Sequence, residues 1–184
     1  MPFTPDDQLE LTFPPELIPQ QVRTELHKSF HIRPLATTDY HRGHLDVLRV
    51  LTHVTDPGEA AYRAQLSTHL SAPSTYFTLV LIERARDRIV GVGTVFLERK
   101  FSRALGVAGH LEDVAVAKRV QGLGLGVGLV RALTGISERF GAYKTVGNCS
   151  DANIPLYKKC GAERRGNEMA KYVNERALAP RARL

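Results

Sequence analysis

The sequence predicts an α/β domain built on a central mixed, largely antiparallel sheet flanked by helices. β-rich runs at 76–83 and 89–98 are separated only by the charged spacer Arg84-Ala85-Arg86-Asp87-Arg88, as in a hairpin. From Leu125 the apolar period becomes helical: Leu125, Leu129, Leu133, Ile136 and Phe140 lie four, four, three and four residues apart. That helix lies between strand-like runs at 109–116 and 143–149, so it forms a strand–helix–strand crossover. At 184 residues, 43% of them hydrophobic, the chain fits one domain with a real core.

Taken in order, residues 1–30 hold five of the ten prolines, which predicts an extended arm with a short helix from Pro19 to about residue 28. The domain proper is expected over 31–173. It opens with a short strand at 31–35, and Thr37-Thr38-Asp39 then form an N-cap cluster. A helix should follow through Tyr40, His44, Val47, Leu48, Leu51 and Val54. Pro57 and Glu59 open a second helix carrying Tyr62, Leu66 and Leu70. After the hairpin, a loop at 99–103 returns the chain to the strand at 109–116. Gly141 stops the long helix, and Ser150 or Asp151 is placed to cap a short helix at 152–160 that Gly161 ends. A last strand is expected at 168–173, followed by a basic tail at 174–184.

Composition excludes several classes. No apolar run approaches membrane-spanning length, and the N-terminus lacks a signal-peptide pattern. Cys149 and Cys160 are too few for a disulfide framework and have no metal-ligand company, which predicts reduced thiols in a cytoplasmic protein without a metal. The net charge of +6 suits an anionic ligand. It would also suit nucleic acid, but the cations are scattered and no nucleic-acid module is recognisable.

The anion site is expected at Gln121-Gly122-Leu123-Gly124-Leu125-Gly126-Val127. A helix start offers unpaired N–H groups and a partial positive charge, and glycine lets a phosphate come close to them. The Walker pattern is excluded because no Gly-Lys-Ser/Thr follows. A dinucleotide fold is a weak alternative, since Gly122-x-Gly124 begins G-x-G-x-x-G without completing it. Taken alone, the run also fits a glycine-softened helix start with no ligand. Its spacing Gln121-x-x-Gly124-x-Gly126 matches the Q/R-x-x-G-x-G/A signature of GNAT acyltransferases, whose amides hold the coenzyme A pyrophosphate.

With Glu98-Arg99-Lys100-Phe101, Gly109-His110-Leu111-Glu112-Asp113, Tyr143-Lys144 and Tyr157-Lys158-Lys159-Cys160-Gly161 in view, the chain resembles the glucosamine-6-phosphate N-acetyltransferases of the GNAT superfamily over about 31–173. The resemblance implies a GNAT fold and a cytosolic homodimer with shared active sites. It implies acetyl transfer from acetyl-CoA to the 2-amino group of glucosamine 6-phosphate, by direct amine attack, for UDP-N-acetylglucosamine synthesis. It places the coenzyme on Val114, Ala115 and Val116, on the amides of Gly122 to Val127, and on Asn153 and Lys159. It places the sugar phosphate on Thr52, Lys100, Phe101, Ser102, Arg103, Glu112, Asp113, Tyr143 and Lys144, some of them across the dimer. Tyr157 is its candidate acid for the departing thiolate, although a tyrosine on a short helix is also an ordinary core residue. Glu112 and Asp113, on opposite faces of a strand, would bind sugar hydroxyls and the amine.

Two residues depart from that pattern. Asn148 stands where relatives usually carry an acid that takes part in amine deprotonation. An amide accepts no proton, so the step falls to a backbone carbonyl or to Glu112 through water. Val127, followed by Gly128, stands where a lysine often contacts the phosphate. A GNAT enzyme for another amine and a non-catalytic coenzyme A module are the rival readings. The cationic loop at 99–103 speaks against a polycationic acceptor, and the intact glycine run and Tyr157 speak against the module.

Overall fold

The computed structural model describes residues 2–171. Its strands are β1 (Phe30–Pro34), β2 (Tyr76–Glu83), β3 (Arg88–Arg99), β4 (Val107–Val116) and β5 (Ala142–Gly147), forming one sheet in that order. The helices are α1 (Gln20–Glu25), α2 (His44–Leu48), α3 (Glu59–Leu70), α5 (Leu125–Arg139) and α6 (Ile154–Lys159). A single turn, α4 (Ser102–Leu105), joins β3 to β4. Strands β1 to β4 are antiparallel neighbours, whereas β5 runs parallel to β4. A parallel step needs a crossover, and α5 supplies it.

The expected stripe of α5 is the face that packs. Leu125, Leu129, Leu133 and Ile136 are buried against Phe77, Leu79, Leu81, Val95, Leu97 and Leu111 of the sheet. Phe13, Ile18 and Val22 bring the N-terminal segment into the same core. At Gly93 the helix comes so close that a Cβ would meet Leu133 Cδ1 at 2.8 Å, so a side chain there would push α5 off the sheet. On the other face, α2 and α3 bury Val47, Tyr62 and Leu66 against Val80, Ile82, Val92 and Ala115. Beyond that cluster the same face carries Tyr76, Phe96, Glu98, His110 and Glu112, all partly or fully exposed.

Several expectations are corrected. Asp39 is no helix cap: its carboxylate takes two bonds of 2.7 Å from Arg33 and one of 2.8 Å from the Ala36 N–H, with both charged side chains buried. Residues 38–43 are turns, the helix shrinks to His44–Leu48, and Leu51 is exposed. A buried bidentate partner outweighs the local capping preference. Leu70, at the end of α3, is also exposed. Neither Ser150 nor Asp151 caps α6 through its side chain; a 3-10 turn, Asp151–Asn153, leads into it instead. Residues 168–171 carry no strand, while 172–173 and the basic tail lie outside the described residues.

His44 sits between the sheet and α3, its Nδ1 2.9 Å from the Tyr62 hydroxyl. Burial pushes its pKa down to about 4; Asp39 opposes that shift and His69 adds to it. Between about pH 6.5, the unperturbed value, and pH 4, the unfolded chain therefore binds a proton that the folded chain refuses. Stability is fully present above that window and falls through it, by about 3 kcal/mol at one pKa unit per 1.36 kcal/mol. A His44→Asn variant should lose less melting temperature than wild type between pH 7 and 4.5. Parallel melting curves for the two proteins would remove His44 as the cause.

Candidate active site

The strand-to-helix turn has the open glycine backbone that the expected anion site needs. Gly122 and Gly124 adopt left-handed φ of 82° and 78°, and Gly124 is the N-cap of α5. A Cβ on either would meet nothing within 4 Å, so backbone conformation, not crowding, calls for glycine there. The first helical bond back to the turn is Gly128 N–H to Gly124 O at 3.2 Å. The N–H groups of Leu125, Gly126 and Val127 precede it, as the unpaired start of a helix. Gln121 donates its side-chain amide to the Val116 carbonyl at 2.9 Å, tying the end of β4 to the turn.

Next to the glycine turn, the sheet opens. β4 pairs with β5 only from Val107 to Leu111, ending at Leu111 opposite Gly147. Among the described residues, Glu112 to Val116 therefore has β3 on one side and no strand on the other. The register against β3 slips here: Thr94 faces Glu112 and Val92 faces Ala115, so two residues, Asp113 and Val114, oppose Gly93. Asp113 takes a left-handed φ of 55°. This bulge breaks the expected alternation, and Glu112 and Asp113 are both exposed. An extended ligand laid on this edge meets free backbone groups, as an added strand would.

Helix α6 packs against the start of α5 beside the glycine turn. Leu156 lies against Gly126, where a Cβ would meet Leu156 Cδ1 at 3.0 Å. Tyr157 is half-buried and packs against the core. Burial pushes its pKa up, and the Cys149 and Cys160 thiols and the Glu112 carboxylate add to the shift. Tyr157 is thus a neutral hydroxyl at physiological pH, able to donate a hydrogen. Asn153 and Lys159 are exposed on the same segment, as is Asn148 after β5.

The expected sugar-phosphate residues divide into groups. Lys100 Nζ lies 2.6 Å from Glu98 Oε2, and His110 Nε2 lies 2.9 Å from the same oxygen. Lys100, then His110, holds the Glu98 carboxyl below the usual range. Arg103, by contrast, sits over the ring of Tyr143, as Lys144 does, each 5.8 Å from its centroid. Lys100 and Arg103 thus have different partners within one chain. Phe101 is 98% exposed, and Ser102 is exposed in a turn whose Arg103, Ala104 and Leu105 all have positive φ. Thr52 is exposed on the loop after α2.

Sequence reading left Glu98 and His110 without a role. Strand alternation could have found them, since Phe96 and Glu98 share a face of β3, and His110 lies opposite Phe96 on β4. A cavity of about 230 Å³ is lined by Arg99, Lys100, Phe101 and Leu105. Another, of about 180 Å³, lies over α2. Polar groups on its wall already pair, the Tyr40 hydroxyl with Asp56 at 3.0 Å and Arg88 with Asp46 at 3.3 Å.

Residues 36–162 match the model of the acetyltransferase (GNAT) family. The chain is 36% identical to glucosamine 6-phosphate N-acetyltransferase of Candida albicans over 144 residues, covering 78% of this chain and 96% of that protein. It is 33% identical to glucosamine 6-phosphate N-acetyltransferase 1 of Dictyostelium discoideum over 141 residues, covering 77% and 89%. The crystal structure of glucosamine-6-phosphate N-acetyltransferase from Arabidopsis thaliana superposes with a TM-score of 0.78 at 31% identity, covering 80% of this chain and 100% of that one. The chain belongs to the GNAT acetyltransferase family and, within it, to the glucosamine 6-phosphate N-acetyltransferases.

Proposed function

We propose that the protein transfers an acetyl group from acetyl-CoA to the 2-amino group of glucosamine 6-phosphate. The observation that carries the reading is the joined pair of features at one end of the sheet. The unpaired edge of β4 leads, through the single turn Lys118–Val120, into the open glycine turn at Gly122 and Gly124. The donor set suits a long ligand with an anionic centre: strand-edge groups along Val114 to Val116, then amides from Gly122 to Val127. When bound, acetyl-CoA supplies an activated acetyl thioester.

The chain's own residues then have distinct tasks. Val114, Ala115 and Val116 hold the extended part and can polarise an acyl oxygen through a backbone N–H. Asn153 and Lys159 add exposed contacts. Glu112 orients the sugar and its amine and accepts the amine proton through water, because Asn148 cannot. Asp113 stays beside it for sugar hydroxyls. Tyr157 donates its hydroxyl hydrogen toward the departing sulfur. Thr52, Lys100, Phe101, Ser102, Arg103, Tyr143 and Lys144 are assigned to the sugar phosphate.

The split between Lys100 and the Arg103–Tyr143–Lys144 group supports a homodimer in which two chains complete each site. So does β5, a sheet edge that itself carries exposed Tyr143 and Val146. Light scattering should give a mass near 41 kDa, twice the 20.4 kDa of the chain; a monomeric mass at assay concentration would refute the shared site. A cytoplasmic location fits the two free thiols, and cell fractionation would test it.

Tyr157→Phe should lower turnover roughly ten- to a thousand-fold with little change in coenzyme binding, the range of a general acid. Near-normal turnover would leave Tyr157 a packing residue. Coenzyme A release should be efficient with glucosamine 6-phosphate and poor with glucosamine or polyamines. Lys100→Ala should narrow the ratio of kcat/KM between the two sugars roughly ten- to a hundred-fold, at 1.5–3 kcal/mol per charge-assisted contact. An unchanged ratio would move phosphate recognition elsewhere.

A further inference from the structure

Lys100 is the residue after β3, and Arg99 pairs with Val107 at the far end of β4. Its backbone therefore lies near the level of Val107, five residues and about 17 Å along the strand from Glu112. A hexosamine phosphate is too short for a gap of that size. The side chain is not left at that level. Its ammonium is drawn back to Glu98 at 2.6 Å, and the same carboxylate oxygen is held by His110 at 2.9 Å. Since an ionised carboxylate only accepts, His110 Nε2 is the donor. The His110 ring is itself fixed by stacking on Phe96, with centroids 4.5 Å apart and planes at 11°. His110 precedes Glu112 by two residues on the same face, roughly 7 Å along the strand. The ammonium is thus drawn from the level of Val107 toward His110, two residues from the carboxylate assigned to the amine.

We propose that Glu98 is a positioning residue for phosphate specificity: held by His110, it folds Lys100 back along the sheet so that Lys100 and Glu112 are spaced for the two ends of one aminosugar phosphate. The inference rests on Lys100 and Glu112 serving the acceptor as assigned above. Lys100, Glu98 and His110 are 24%, 41% and 27% exposed at their side chains, so water screens the pair and the effect is modest. Glu98→Gln should raise KM for glucosamine 6-phosphate roughly two- to fivefold, with kcat and the KM for glucosamine unchanged. His110→Phe, which keeps an aromatic ring against Phe96 and removes the N–H, should do the same. In a Lys100→Ala background Glu98→Gln should have no further effect, because Glu98 acts only through Lys100. A lower KM in Glu98→Gln would mean that the carboxylate merely repels phosphate and would overturn the proposal. So would an undiminished effect in the double variant, or a Glu98→Gln protein that melts like wild type and keeps its KM. Wild type without preference for the phosphorylated sugar would instead refute the functional reading on which the proposal stands.

Discussion

The parting of β4 from β5 is the constraint on which the site depends. Among the described residues, Val107 to Leu111 of β4 lie between two strands, whereas Glu112 to Val116 have a neighbouring strand, β3, on one side only. The parting is possible because α5 packs across β2 to β5 and fixes both strands without pairing along their full length. Backbone groups freed this way in a buried place would be unfavourable. Here Glu112 and Asp113 are exposed, and the Gln121 amide satisfies the last carbonyl of the strand. The open strand edge and the glycine turn are therefore two consequences of one crossover.

The bulge at Asp113 and Val114 adjusts that edge. By inserting one residue opposite Gly93, it returns Val114 to the α5 side of the core and Ala115 to the α2–α3 side. Glu112 and Asp113 are left as exposed carboxylates between the two packed clusters. The positive φ at Asp113 is strain held in place by the pairing on either side, the kind of backbone feature that gathers at ligand sites.

The second face shows why only half of it is open. Arg33 and Asp39 form a buried, bidentate pair, and Arg42 reaches Asp87 from the same turn at 3.0 Å. This network anchors residues 38–43 to the β1 end of the sheet. Helices α2 and α3 consequently cover Val80, Ile82 and Val92, while Phe96, His110 and Glu112 remain available. Removing one partner would leave a buried charge alone, which is far more destabilising than losing an exposed pair.

By itself, the sequence determined what depends on local periodicity and on backbone freedom. The α5 stripe from Leu125 to Ile136, the β2–β3 hairpin and the glycine turn at Gly122 and Gly124 are all legible residue by residue. Only the tertiary structure decided what depends on partners distant in the chain. Asp39 left its capping role because Arg33, from β1, was a stronger partner. The bulge at Asp113 arose from pairing with β3, and no local signal marks it. Lys100 was readable as a cation near a phosphate, but its placement was not. Its ammonium sits where Glu98 and His110 hold it, and those two residues meet only because β3 and β4 pair in the register that sets Phe96 against His110.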